Sequence, residues 1–296
     1  MRPFLRSFLV TILFLVVLAF TQSVASTPLE ITINHDGVLL KGKFYISEGI
    51  GKFPTVILLH GFPGNEIDVL GIGSQLSEVG INALTFNYSG THQSQGHFNF
   101  ENTQKDIKAV FEFIRKSENI RKHKIDTVHI FLGGYSYGGG MALTYAANHP
   151  EIKAVFSIAG NDHGVFMEEY NRNPGMQKII DEMFNDLKAP TGQVRFARGG
   201  TPKEIAEMKI IELNPTYHLL KSASLLVQKD ILLIGGWDDH KVSIDHVILP
   251  LYRALKNEKA KNVRIVAFQD NHSFRNSREG LAQMIIEWIK RALESK

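Results

Sequence analysis

The chain has 296 residues, enough for one α/β domain with an insertion or for two small domains, and its 44% apolar content is ordinary for a globular protein. Formal charge is +3 and falls to +1 once Arg2 and Arg6 of the N-terminal stretch are set aside, a balance that gives no case for nucleic acid or an anionic membrane as partner. There is no cysteine, which excludes a disulfide framework, a thiolate metal site and a cysteine nucleophile.

Met1 to Arg6 carries two arginines, Phe8 to Phe20 is almost wholly apolar, and Ser23-Val24-Ala25 supplies small residues at the spacing a signal peptidase reads. This pattern predicts a secretory signal over residues 1–25, cleaved after Ala25, and hence export to the periplasm or the exterior. The apolar run of 13 residues falls short of the roughly 20 that span a bilayer, so no stable membrane anchor is expected after cleavage. No cysteine follows the run, so lipid attachment there is excluded.

Residues 26–296 read as one domain. Leu29 to Asn34 alternates, Asp36-Gly37 offers a turn, and Val38 to Ile46 alternates again, which predicts a hairpin at a sheet edge. Pro54 to Leu59 is a continuous apolar run, as a strand buried on both faces requires, and it ends in His60-Gly61-Phe62-Pro63-Gly64. A helix over Asp68 to Val79 and a strand over Ile81 to Tyr88 follow. Thr103 to Lys116 is an amphipathic helix with Ile107, Val110, Phe111 and Ile114 on one face. Val128 to Leu132 is a buried strand, and it runs through Gly134-Tyr135-Ser136-Tyr137-Gly138 into a helix from Met141 to Ala147. Lys153 to Ala159 is the next strand.

The alternation then breaks. Between about residues 164 and 222 lie helical stretches from Met176 to Leu187 and Pro202 to Ile211, with Pro190, Gly192 and Gly199-Gly200 between them and no obvious strand. The simplest reading is a helical lid inserted over the carboxyl edge of the sheet. Strands resume at Asp230 to Ile234 and Asn262 to Phe268, separated by a helix from Ile244 to Lys256. A helix from Arg278 to Leu293 closes the chain, with Leu281, Ile285, Trp288 and Leu293 toward one buried side, and no internal repeat is visible. Strand–helix alternation of this kind predicts an α/β fold with a mostly parallel, doubly wound sheet.

The stretch Gly134 to Gly138 fits the G-x-S-x-G nucleophile elbow, a sharp strand-to-helix turn that holds a serine hydroxyl over the first free amides of the helix. A serine is a poor nucleophile unless a base takes its proton, and that base must be oriented by a third group. His272 lies in the loop after the last strand, and Asp238 and Asp239 lie in the loop after the strand before it. All three groups fall at carboxyl ends of parallel strands, in the chain order Ser, Asp, His. Asp162 and His163 are a weaker competing pair. An oxyanion needs pre-aimed donors. The backbone N–H of Tyr137 is one candidate and that of Phe62 the other, since Pro63 has none; His60 reads as bracing its loop by hydrogen bonding. His240 and His246 lack a strong metal-ligand spacing, and no G-x-x-x-x-G-K-[ST] occurs, so neither metal nor cofactor is expected.

Together His60 to Gly64, Gly134 to Gly138, Gly236 to Asp239 and His272 resemble the α/β-hydrolase superfamily, over everything from about residue 30 onward except the lid. The branch most resembled is that of prolyl oligopeptidases, dienelactone hydrolases and feruloyl-esterase-like enzymes. Many such hydrolases run Gly-x-x-Asp-x-x-Val, which only Gly236 to Val242 matches; this favours Asp239 as the acid and leaves Asp238 as the alternative. The resemblance implies Ser136 as nucleophile, His272 as base and the amides of Phe62 and Tyr137 as oxyanion donors. With the predicted signal segment, the expectation is an exported serine hydrolase acting on a small-molecule ester through an acyl-enzyme. The first alternative is a peptidase acting on short peptides, for which Glu168-Glu169 could hold a substrate ammonium; the second is a hydrolase fold kept for binding. Two departures stand out. Asn87-Tyr88-Ser89-Gly90 replaces the Asp-x-Arg-Gly of many relatives, so a structural ion pair is expected to be missing, and no N-terminal β-propeller is seen to supply a size filter. Oligomeric state is not readable.

Overall fold

The computed structural model describes residues 27–294; the predicted signal segment lies outside the described residues. Eight strands form one sheet in the order β1-β2-β4-β3-β5-β6-β7-β8. The edge hairpin is β1 (Leu29–His35) and β2 (Val38–Tyr45), paired antiparallel through the turn at Asp36-Gly37. Beyond it β2 pairs antiparallel with β4 (Asn82–Phe86), and every later pairing is parallel. These central strands are β3 (Phe53–Leu59), β5 (Ile125–Tyr135), β6 (Ala154–Ile158), β7 (Asp230–Gly236) and β8 (Val263–Phe268). Val56 to Leu59, Ala83, Leu84 and Ile231 to Ile234 are fully or almost fully buried, as strands covered by helices on both faces require.

One face carries α1 (Ile72–Glu78) and α10 (Arg278–Glu294) in contact with each other. The other carries α2 (Phe100–Arg115), the short α3 (Ser117–Lys122), α4 (Tyr137–Asn148) and α9 (Leu249–Asn257). Phe111 of α2 stacks on Tyr145 of α4 at 5.4 Å, and Trp288 of α10 meets Phe131 and Phe156 edge-on through the sheet's opposite side. The chain moves from β3 outward to β4, then crosses back to β5 on the other side of β3. That reversal opens a crevice at the carboxyl ends of β3 and β5, where ligands bind in open α/β sheets.

The predicted helix over Asp68 to Val79 is shorter. Leu70 and Gly71 take left-handed backbone angles, and Asp68 accepts from the Gly73 and Ser74 amides, so the first turn is a capped loop and the helix starts at Ile72. The predicted helix over Ile244 to Lys256 opens with a π-helical turn, Ile244–Ile248, before α9. Between β6 and β7 lie α5 (His163–Arg172), α6 (Pro174–Leu187), α7 (Pro202–Glu207), α8 (Ile210–Leu213) and short 3₁₀ turns. Gln193 to Ala197 in this insertion is stitched by backbone hydrogen bonds to the loop after β4, through Gly90, His92 and Phe98. α6, like the four-residue α8, has no buried residue, and Ile179 and Met183 on it are exposed.

Candidate active site

Ser136 sits at φ 55° and ψ −120°, between the last residue of β5 and the first of α4. A non-glycine residue held there is strained, and its neighbours on β6 and α4 hold it in place. Its N–H donates to the Ile158 carbonyl of β6, and its carbonyl accepts from Gly140 and Asn161. The loop after β3 packs against it closely because two positions carry no Cβ. A Cβ on Gly138 would stand 2.5 Å from the His60 carbonyl oxygen, and one on Gly61 would stand 3.2 Å from the Ser136 Cβ. The crevice therefore brings the His60-Gly61-Phe62 loop onto the serine.

His272 Nε2 lies 3.0 Å from Ser136 Oγ, and its Nδ1 lies 2.7 Å from Asp239 Oδ2. Asp239 is 2% exposed, and its other oxygen accepts from the amides of Lys241 at 2.8 Å and Val242 at 2.9 Å. Burial alone would push the Asp239 carboxyl up, but the hydrogen bond from His272 and the two amides outweigh it and hold it below the usual aspartate value. Asp239 is thereby kept ionised beside the imidazole. Asp238 is exposed and accepts instead from Gln269 Nε2, so the alternative acid does not meet His272. Asp162 and His163 are likewise elsewhere. Asp162 caps α5 through Gly164 and Val165 and accepts from the Leu220 amide, while His163 is buried against Phe100 and Tyr137.

The Tyr137 amide is the first of α4 and has no acceptor within the helix, and among the described residues neither it nor the Phe62 amide donates to another group. The loop that carries Phe62 is braced as its sequence suggests. His60 Nδ1–H donates to the Gly61 carbonyl at 2.7 Å, and the buried Tyr88 hydroxyl donates to the His60 carbonyl at 2.7 Å. Burial pushes the His60 imidazole down to about 4, so it stays neutral. In the stretch that departs from Asp-x-Arg-Gly, Ser89 stands at the arginine's position, and its N–H and hydroxyl both donate to the buried carboxyl of Asp106 on α2.

Above Ser136 is a cavity of about 770 Å³, in the size range of ligand sites. Its walls are largely apolar, with Phe62, Phe98, Phe100 and Tyr137 from the main domain and Phe166, Ile180 and Phe184 from the insertion. The Phe62 ring stacks on Phe98 at 4.5 Å and on Phe184 of α6 at 5.5 Å. Glu168 does not face this cavity. It accepts from His218 and Lys221 at 3.1 Å each and pairs with Arg172 at 3.5 Å, beside a separate, smaller cavity in the insertion. Glu169 does not line the larger cavity either.

Three supporting residues escaped the sequence reading. The Tyr135 hydroxyl donates to the His272 carbonyl at 2.8 Å, and Asp270 accepts from the Asn271 and Asn276 amides, so both ends of the histidine loop are held. Tyr135 is a variable position of G-x-S-x-G and gives no local signal; Asp270, two residues before His272, is an ordinary loop-capping residue by sequence. Phe184 lies on a helix whose apolar spacing is visible but whose target is not. Among the described residues no group of three or more His, Asp and Glu side chains is placed to hold a metal ion, and no helix is long and apolar enough to cross a membrane.

The model of the alpha/beta hydrolase fold family matches residues 54–199. A proline iminopeptidase of Thermoplasma volcanium is 29% identical over 128 residues, 43% of this chain and 40% of that protein. Esterase EstD of Thermotoga maritima is 26% identical over 281 residues, 88% of this chain and 63% of that one, so the chain spans less than two thirds of either relative. Among solved structures, Est1E from Butyrivibrio proteoclasticus superposes with a TM-score of 0.62 at 16% identity, covering 90% of this chain and 99% of that one. The sheet order, the strained serine between β5 and α4 and the family model matched over residues 54–199 give one answer: the chain has the α/β-hydrolase fold.

Proposed function

We propose that the protein is an exported serine hydrolase that cleaves a carboxylic ester through an acyl-enzyme. The observation that carries this reading is the hydrogen-bonded chain Ser136 Oγ, His272, Asp239, at 3.0 and 2.7 Å, beside two unengaged amides. His272 takes the serine proton as Oγ attacks the carbonyl carbon, and the amides of Phe62 and Tyr137 receive the developing oxyanion. His272 then gives the proton to the departing oxygen, and water, activated by the same imidazole, releases the acid. Asp239, kept ionised, orients His272 and balances its transient charge.

A peptidase reading is favoured by the similarity to proline iminopeptidases. The acidic pair expected to hold a substrate ammonium argues against it, since Glu168 is already engaged by His218, Lys221 and Arg172 and neither glutamate lines the cavity. Hydrolysis of p-nitrophenyl esters and aminoacyl-anilides by the chain from Ser26 onward, with Ser136→Ala alongside, tests both. Ester turnover abolished in the variant supports the proposal, and amide turnover rivalling it would transfer the reading to a peptidase. Export rests on residues 1–25 alone; N-terminal sequencing of the expressed protein should begin at Ser26.

A further inference from the structure

The cavity over Ser136 is chemically two-sided, and the mechanism says which side is which. The carbonyl oxygen must point to the amides of Phe62 and Tyr137. The leaving oxygen must lie at His272, which protonates it. The acyl group is then left with the wall of Phe98, Phe100, Phe166 and Phe184, and the leaving group with the loop after β7 and the start of α10.

That second side is basic. Lys241 and Arg278 both line the cavity and both are exposed, and among the described residues neither side chain has an ion-pair or hydrogen-bond partner. Their placement next to the reacting groups is fixed by the backbone. The Lys241 amide donates to Asp239, and Arg278 lies close enough to Tyr135, the residue that holds the His272 carbonyl, to bear on its phenol. Three carboxylates nearby are committed. Asp68, the one carboxylate lining the cavity among the described residues, caps α1; Asp238 accepts from Gln269 outside the cavity, and Asp270 caps its own loop. Asp245 and Glu279, near Lys241 and Arg278 in the chain, are exposed and do not line the cavity.

We propose that the enzyme's substrates are esters joining an apolar acyl group of aromatic size to an alcohol that carries a carboxylate, with Lys241 and Arg278 receiving that carboxylate. The inference rests on the serine-hydrolase reading. In the reaction the Ser136 Oγ–carbonyl bond forms as the ester C–O bond breaks, the serine proton passes through His272 to the leaving hydroxy acid, and water completes the release of the acyl acid. The neutral isostere of such a substrate keeps the ester and loses the charge.

The test compares benzoyl glycolate with benzoyl glycolamide in the wild-type chain and in K241A/R278A. The quantity read is the ratio of kcat/KM for the charged over the neutral ester, and the change of this ratio between proteins cancels the intrinsic reactivities. It should fall about tenfold in the double variant, the scale of two partly exposed ionic contacts, and should fall in the wild type when salt is raised. A ratio unchanged by the substitutions overturns the proposal. So does failure to turn over either ester while a fluorophosphonate still labels Ser136. Absence of both turnover and labelling in folded protein would overturn the hydrolase reading itself, and this inference with it.

Discussion

Both oxygens of Asp239 are given to fixed donors, one to His272 and the other to the amides of Lys241 and Val242, whereas Asp238 next to it points to Gln269 in solvent. The two aspartates differ in sequence by one position and in environment by nearly everything. Under the proposed mechanism Asp239→Asn keeps the shape but presents an amide where the His272 Nδ1–H must donate. The imidazole is then driven toward the wrong tautomer, and kcat should fall on the order of 10⁴-fold, as triad aspartates do. Asp238→Asn should leave kcat within about twofold, because surface substitutions away from such features are near neutral. Steady-state kinetics on one ester decides it, and comparable losses in both variants would overturn the assignment of Asp239. Ser136 and His272 were readable because each stands in a motif whose geometry has one solution. The choice of acid was readable only through a spacing, since two adjacent carboxylates present the same local chemistry until the loop's hydrogen bonds are seen.

Helix α6 has an apolar face but no buried residue, and one of its side chains, Phe184, lies against the ring of Phe62, whose amide is the proposed oxyanion donor. Phe62 also stacks on Phe98, so its ring is held by two aromatic neighbours. Phe184 is therefore expected to act as a positioning residue through Phe62. Phe184→Ala should lower kcat about tenfold, a fraction of the 10²–10³ that loss of a donor costs, with a smaller change in KM, and Phe184→Tyr should restore it. A rise in KM with kcat unchanged would make Phe184 a substrate contact only. The helix itself was legible from its spacing, and so was β3, because a strand buried on both faces reads as an unbroken apolar run; the expected buried strand from Val128 to Leu132 was over-read, since Val128 is exposed and Ile130 half-buried, and β5 is buried without a break only from Phe131 to Gly134. What could not be read was pairing at long separation. Gln193 to Ala197 joins the loop after β4 from about 100 residues away, and nothing local to either stretch announces the other. The start of α1 was missed for a different reason, since Leu70 and Gly71 leave helical angles while the sequence around them keeps a helical look.

The sheet and the insertion meet above the carboxyl edge, so whole-chain stability and the site depend on the same loops, and the buried Asp106 ties one of them to α2. Its carboxyl on α2 takes both donors of Ser89, in the loop after β4 that also carries the insertion's stitching. Burial pushes this carboxyl up to about 7, from an ordinary value near 3.8, while the bonds from Ser89 pull the other way without winning. The sign follows from proton counting. Between about pH 4 and pH 7 the folded chain keeps the proton and the unfolded chain has lost it, so the stability this group contributes declines as pH rises through that window. Above about pH 7 both states are ionised and the decline stops. Asp106→Asn can still accept from the Ser89 N–H and can donate to its hydroxyl, but it does not titrate. Buried Asp239 and Asp162 have the opposite sign, their carboxyls being held below the usual value, so wild-type stability alone would mix the two trends. The difference between wild type and Asp106→Asn removes them. Urea unfolding of both proteins across this range should show wild type losing ground to the variant as pH rises, by up to about 1.4 kcal/mol per pH unit, and then running parallel. Parallel curves throughout would mean that Asp106 is ionised in the folded chain, and that its two bonds from Ser89 do stand in fully for the missing arginine.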